Sequence, residues 1–130
     1  MFIFFPFHAL PFPNEPHGFG GIAWGTHITR IPGMELLQKP SMREGVMLYK
    51  RKDDALTWGK VRLKQIEYAF KEGLFNRVII TVEDLYNFIL LRDMLFEHFG
   101  KGKEIIPGTE RYVWDGNVVR ITLIGAFDIS

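Results

Sequence analysis

The chain has 130 residues, 47% of them hydrophobic and 24% charged, with 16 Lys and Arg against 15 Asp and Glu and a formal net charge of +1. It is too apolar for a disordered chain and too close to neutral for a global field that gathers nucleic acid or anionic membrane. The absence of cysteine excludes disulfides, thiolate chemistry and cysteine-bound zinc. Aromatic residues reach 15%, Phe supplying 12 of them, which is enough area for a dense core together with a sticky interface.

Taken in chain order, "MFIFF" (1–5) is a short apolar run stopped by Pro6, as a buried strand is. It does not read as an export signal, since no basic residues precede it and no small-residue cleavage site follows. No later stretch reaches the ~18 uncharged apolar residues of a membrane span. A cytoplasmic protein without a membrane partner is therefore expected. Residues 6–21, "PFHALPFPNEPHGFGG", hold four prolines and three glycines and predict an irregular segment. The side chains of Phe7, Leu10, Phe12 and Phe19 would pin it to one domain covering 1–130.

"GIAWGTHITRI" alternates as a strand does, with Ile22, Trp24, Thr26 and Ile28 on one side. The stretch 32–45 is a connection with at most one helical turn near Glu35, and "VMLYKR" (46–51) is a second strand. Leu56, Gly59, Leu63, Ile66 and Phe70 then fall at helical spacing. This predicts a helix over 56–72, capped by Asp54 or Thr57 and closed by Gly73. "RVIITV" (77–82) is a central strand by its β-branched content. A long helix follows over 82–99, opened by a Thr81–Asp84 capping box and stopped by Gly100. A short strand at 104–106 precedes a hairpin over 111–127, turning on Asp115-Gly116. The expected class is α+β: an antiparallel or mixed sheet of four to six strands with two main helices packed on one face, and a C-terminal β-α-β-hairpin unit.

Three groups of residues could carry chemistry. His8, Glu15, His17 and His27 are ligand types for a divalent metal, but they share no tight spacing motif. Lys50, Arg51, Lys52, Lys60, Arg62 and Lys64, with Trp58 among them, suit phosphates and stacked bases. The third group is arginine. Arg92 falls among Phe88, Phe96 and Phe99 on a helix that is apolar almost all round. Its guanidinium needs either a structural carboxylate, with its stem packed and its head reaching outward, or a bound anion. A two-residue turn at Asp115-Gly116 would pair Arg111 with Arg120, and like charges so placed call for an anion between them. Arg92, Arg111 and Arg120 could then form a phosphate clamp.

The leading expectation is a small non-enzymatic interaction or assembly protein, a homodimer or a binder of another protein, because the excess of Phe and the greasy long helix leave apolar surface to cover. Two alternatives stand beside it: a nucleic-acid or phosphate-ligand binder using the basic patch, and a small metal-dependent hydrolase or phosphodiesterase using the histidines. No organic cofactor is implied, and no spacing pairs an acid with a base for catalysis.

Overall fold

A computed structural model describes residues 12–37, 45–116 and 118–125. The elements in chain order are β1 (Gly18–Phe19), β2 (Ile22–Ala23), a 3-10 turn (Ile28–Arg30), β3 (Met34–Leu36), β4 (Val46–Arg51), β5 (Thr57–Trp58), β6 (Val61–Lys71), β7 (Leu74–Val82), α1 (Leu85–Phe99), β8 (Lys103–Glu104), β9 (Arg111–Asp115) and β10 (Arg120–Ile124). They fall into two compact units, one comprising 18–87 and the other 12–17 with 88–125.

The expected α+β class is corrected by this architecture. Among the described residues the structure is mostly β, 45% strand against 17% helical, with one α-helix and three sheets. The segment expected as a helix over 56–72 is the hairpin β5–β6. Its burial alternates through Val61 and Leu63, and the register then shifts between Leu63 and Gln65. The inward series becomes Val61, Leu63, Ile66, Tyr68, Phe70. A β-bulge turns one spacing of two into a spacing of three, and that irregularity imitates a helical period.

Strand β6 is the centre of the larger unit, a place the sequence suggested for 77–82. One of its edges carries β7. The other carries β4, with Val46 to Tyr49 opposite Lys71 to Tyr68, and then β5. β3 adds to β4 with Leu36 opposite Tyr49. One face of this sheet is aromatic. Phe75 lies 5.4 Å from Phe70, 6.0 Å from Tyr68 and 4.8 Å from Trp24, while Phe19 sits 6.0 Å from both Tyr68 and Trp58 (ring centroids). On the other face Val46, Leu48 and Ala69 are buried, with Leu37 and Ile79 packed against them.

The stretch 13–27 folds as a small hairpin rather than a continuous strand. Phe19 pairs with Ile22 across Gly20-Gly21, and the chain turns again at Trp24-Gly25 before the 3-10 turn. The strand expected over 22–29 therefore ends at Ala23. Glu35, expected in a helical turn, lies in β3.

The turn between β6 and β7 explains Gly73. Lys71 pairs with Leu74, so Glu72 and Gly73 form a two-residue loop, and both have left-handed φ, 51° and 84°. Type I′ hairpins require this conformation. Gly73 thus closes a hairpin instead of a helix.

In the other unit β8, β9 and β10 form an antiparallel sheet. Its inner face carries Tyr112, Trp114 and Leu123. Phe96 of α1 meets Tyr112 edge-on at 5.0 Å and Trp114 at 5.8 Å. The indole Nε1 donates to the Gly100 carbonyl at 2.8 Å. Along α1 the buried stripe is Phe88, Leu91, Leu95 and Phe99.

The helix begins three residues later than expected. Asp84, not Thr81, is its cap: Oδ1 accepts the backbone N–H of Asn87 at 2.9 Å and the Asn87 side-chain amide at 2.9 Å. Asn87 is buried, and its Oδ1 accepts the Arg62 backbone N–H at 2.8 Å, tying β6 to the first helical turn. Hydrogen bonds from the Asn87 backbone, then from its side chain, hold the Asp84 carboxyl below the usual carboxylate range. A lowered folded value means that this contribution is fully present above the ordinary value and is lost as pH falls through the folded one. Urea denaturation across a pH series should show wild type more stable than Asp84→Ala at neutral pH, with the gap closing below about pH 4. A gap that stays constant down to strong acid would contradict the cap.

Candidate functional site

The basic residues of 50–64 divide between two places in the larger unit. Lys50 and Arg51 end β4 and Lys52 follows it, with Lys50 opposite Glu35. Lys60, Arg62 and Lys64 belong to the β5–β6 hairpin, whose two-residue loop is Gly59-Lys60. Lys50, Lys52, Lys60, Arg62 and Lys64 are exposed, and none of these five side chains makes an ion pair among the described residues. Arg51 is committed elsewhere, with Nη1 donating to the Gly20 carbonyl at 2.8 Å. Trp58 pairs with Val61, on the sheet face opposite to Thr57 and Arg62, and its ring stands edge-on to Phe19. The indole therefore packs inward rather than standing among the exposed cations.

Beside Arg51 lies a polar contact that the sequence did not single out. The Tyr68 hydroxyl donates to Asp54 Oδ2 at 2.6 Å. Burial first, and the Asp54 carboxylate second, push the phenol well above its usual value, so the hydroxyl keeps its proton and acts as a donor. The pair fastens the loop after β4 onto the aromatic face. It joins an acid that sequence reading weighed as a helix cap to a tyrosine assigned to a helix, so no spacing rule could have linked them.

His27 caps the 3-10 turn. Its Nδ1 accepts the Thr29 backbone N–H at 3.2 Å and lies 2.9 Å from Thr29 Oγ1. A neutral ring held this way carries its proton on Nε2. That edge faces Gly73, where an added Cβ would lie 2.7 Å from Nε2. His17 is exposed at the end of the N-terminal segment, and His8 lies outside the described residues. Glu15 Oε1 accepts the backbone N–H groups of Val118 at 2.6 Å and Val119 at 2.9 Å. Among the described residues no three His, Asp or Glu are arranged to hold a metal ion.

Glu15 also accounts for the C-terminal hairpin. Asp115 pairs with Arg120 and Arg111 with Ile124, so the paired strands close at Asp115 and Arg120 and the register of a two-residue turn at Asp115-Gly116 is absent. The Gly116 N–H donates to the Val119 carbonyl at 3.0 Å. The Glu15 carboxylate lies against Gly116 so closely that any Cβ there would overlap it. The glycine read as a turn former is instead required by close approach of a side chain from far along the chain.

This register removes the Arg111–Arg120 pairing. Arg120 binds Asp115 with two hydrogen bonds, 2.5 Å from Nε and 3.1 Å from Nη2. Arg92 finds a carboxylate of its own unit: Nη1 donates to Glu110 at 3.2 and 3.1 Å, and the Tyr112 hydroxyl donates to the same carboxylate at 3.1 Å. Glu110, then partial burial working the other way, leaves the guanidinium raised and permanently charged. Arg111 is exposed and makes no ion pair among the described residues.

No buried side-chain nitrogen or oxygen lacks a partner among the described residues. The unsatisfied surface is apolar. Leu85 is 54% exposed, Tyr86 68% and Ile89 37%. They occupy the outward face of the first two turns of α1, and the exposed Asp93 and Glu97 continue that face toward its end. No helix is long and apolar enough to cross a membrane. Compared with protein-family models, curated proteins and solved structures, the chain matches none.

Proposed function

We propose that the chain is a non-enzymatic interaction protein that self-associates through the opening turns of α1. The observation that carries this reading is the exposure of Leu85, Tyr86 and Ile89 side by side on one helix face. Single exposed hydrophobic residues are ordinary, but a contiguous group on a rigid element marks a surface that a neighbour covers. Two copies crossing near Tyr86 would bury all six side chains. Asp93 and Glu97 would then lie away from the crossing point, where they remain solvated.

Size-exclusion chromatography with light scattering tests this. Wild type should show a dimer mass at tens of micromolar, and Tyr86→Glu should elute as a monomer with an unchanged circular dichroism spectrum. A wild-type monomer at every concentration would overturn the proposal. A second reading, binding of a phosphate-bearing ligand, is supported by the five unpaired exposed cations of 50–64. Binding of that kind weakens as salt rises, whereas association through apolar surface does not.

A further inference from the structure

The outward face of the β8–β9–β10 sheet carries an apolar and basic patch that self-association through α1 does not use. Register fixes its composition. The Ile105 N–H donates to the Arg111 carbonyl, and Arg111 pairs with Ile124, so Ile105, Arg111 and Ile124 form one row across the sheet. Lys103, Val113 and Thr122 form the next row. Beyond the first row the chain turns through Pro107-Gly108, with Gly108 at φ 84° and the Thr109 N–H donating to the Ile106 carbonyl at 3.1 Å. These are the marks of a type II turn. Residues 105–109 are all exposed, Ile105 by 51% and Ile106 by 56%, and Ile124 is 50% exposed. The base of the turn is fixed, because Glu110 holds Arg92 and Tyr112 and its carbonyl accepts the Gly125 N–H at 2.9 Å.

We propose that this end of the sheet docks on an anionic lipid surface, with the three isoleucines entering the interfacial layer and Lys103 and Arg111 meeting lipid phosphates. Charge complementarity selects the occupant. Both cations are exposed and make no ion pair among the described residues. The acids nearby are turned away or neutralised: Glu104 pairs with Tyr112 on the inner face, Glu110 is bound by Arg92, and Asp115 at the far end is bound by Arg120. A second copy packed here about a two-fold axis would set these cations against each other. An apex of exposed aliphatic side chains offers no groove for a peptide, whereas a bilayer interface takes in apolar side chains flanked by cations.

Co-sedimentation of the full chain with phosphatidylcholine vesicles, with and without phosphatidylserine, tests the proposal. Binding is expected only with phosphatidylserine and should fall as salt rises. The double variant Lys103→Ala with Arg111→Ala should reduce partitioning roughly thirtyfold, the effect of two surface cations. Ile105→Ser with Ile106→Ser should also release the protein. Ile106→Trp supplies a readout that does not depend on loss of function: its added fluorescence should shift to the blue on the anionic vesicles alone. The proposal is overturned if folded wild type ignores phosphatidylserine vesicles, if both double variants bind as wild type does, or if the patch binds polyglutamate but not vesicles. Tyr86→Glu should bind vesicles as wild type does per chain, so failure of the self-association reading and failure of this one are distinguishable.

Discussion

Replacing Phe70 by alanine is expected to lower the unfolding free energy by about 3–5 kcal/mol. Phe70 is 1% exposed near the end of β6, where it stands between Met47 of β4 and Phe75 of β7. Its ring meets Tyr49 edge-on at 5.2 Å and Phe75 at 5.4 Å, so truncation removes contacts from two neighbouring strands at once. The strand cannot close over the gap, because β4 holds it on one edge and β7 on the other. Lys71→Ala, one residue on and exposed, should cost no more than about 0.5 kcal/mol. Urea midpoints with unchanged slopes measure both. Equal and small losses at the two positions would contradict the central placement of β6.

The second large effect belongs to Gly73. Gly73→Val introduces a β-branched residue at φ 84°, a left-handed conformation that costs a side chain of about 1–3 kcal/mol. It also drives the new Cβ into the His27 ring, 2.7 Å from Nε2. The two costs separate in a double-mutant cycle. His27→Ala should restore the part due to the ring and leave the backbone part. If His27→Ala recovers nothing, the imidazole does not lie against this turn.

What the sequence disclosed depended on whether local chemistry decided the outcome. The long helix was legible because acids and a cap signal open it and Gly100 stops it, and its end agrees with Phe99 in the structure. "VMLYKR" was legible as a strand and forms β4 over the same residues. Asp84 was recognised as a cap component, but its partner was read backward as Thr81 instead of forward as Asn87. That shift moved the start of the helix. The segment 56–72 was misread because a bulge after Leu63 broke its alternation. Bulges are set by the strands on either side, and those strands are not visible within an eleven-residue window.

The arginine clamp failed for a related reason. Asp115-Gly116 is a good local signal for a tight hairpin, yet Glu15 reaches across from far earlier in the chain and gathers the Val118 and Val119 amides. The loop lengthens, Arg120 moves opposite Asp115, and Arg111 faces Ile124. For Arg92 the need for an anion was legible, and the structure supplies Glu110. The patch of Ile105, Ile106 and Ile124 was not legible, since it assembles from two strands and a turn whose register the sequence does not state.

The chain contains no cysteine, so a single introduced thiol reports proximity between copies without background. Tyr86→Cys, mildly oxidised at micromolar concentration, should give a covalent dimer in high yield. Asp53→Cys, also exposed, on the loop after β4, should form no covalent dimer under the same conditions. Dimer formation no greater at position 86 than at position 53 would contradict a self-associating helix face.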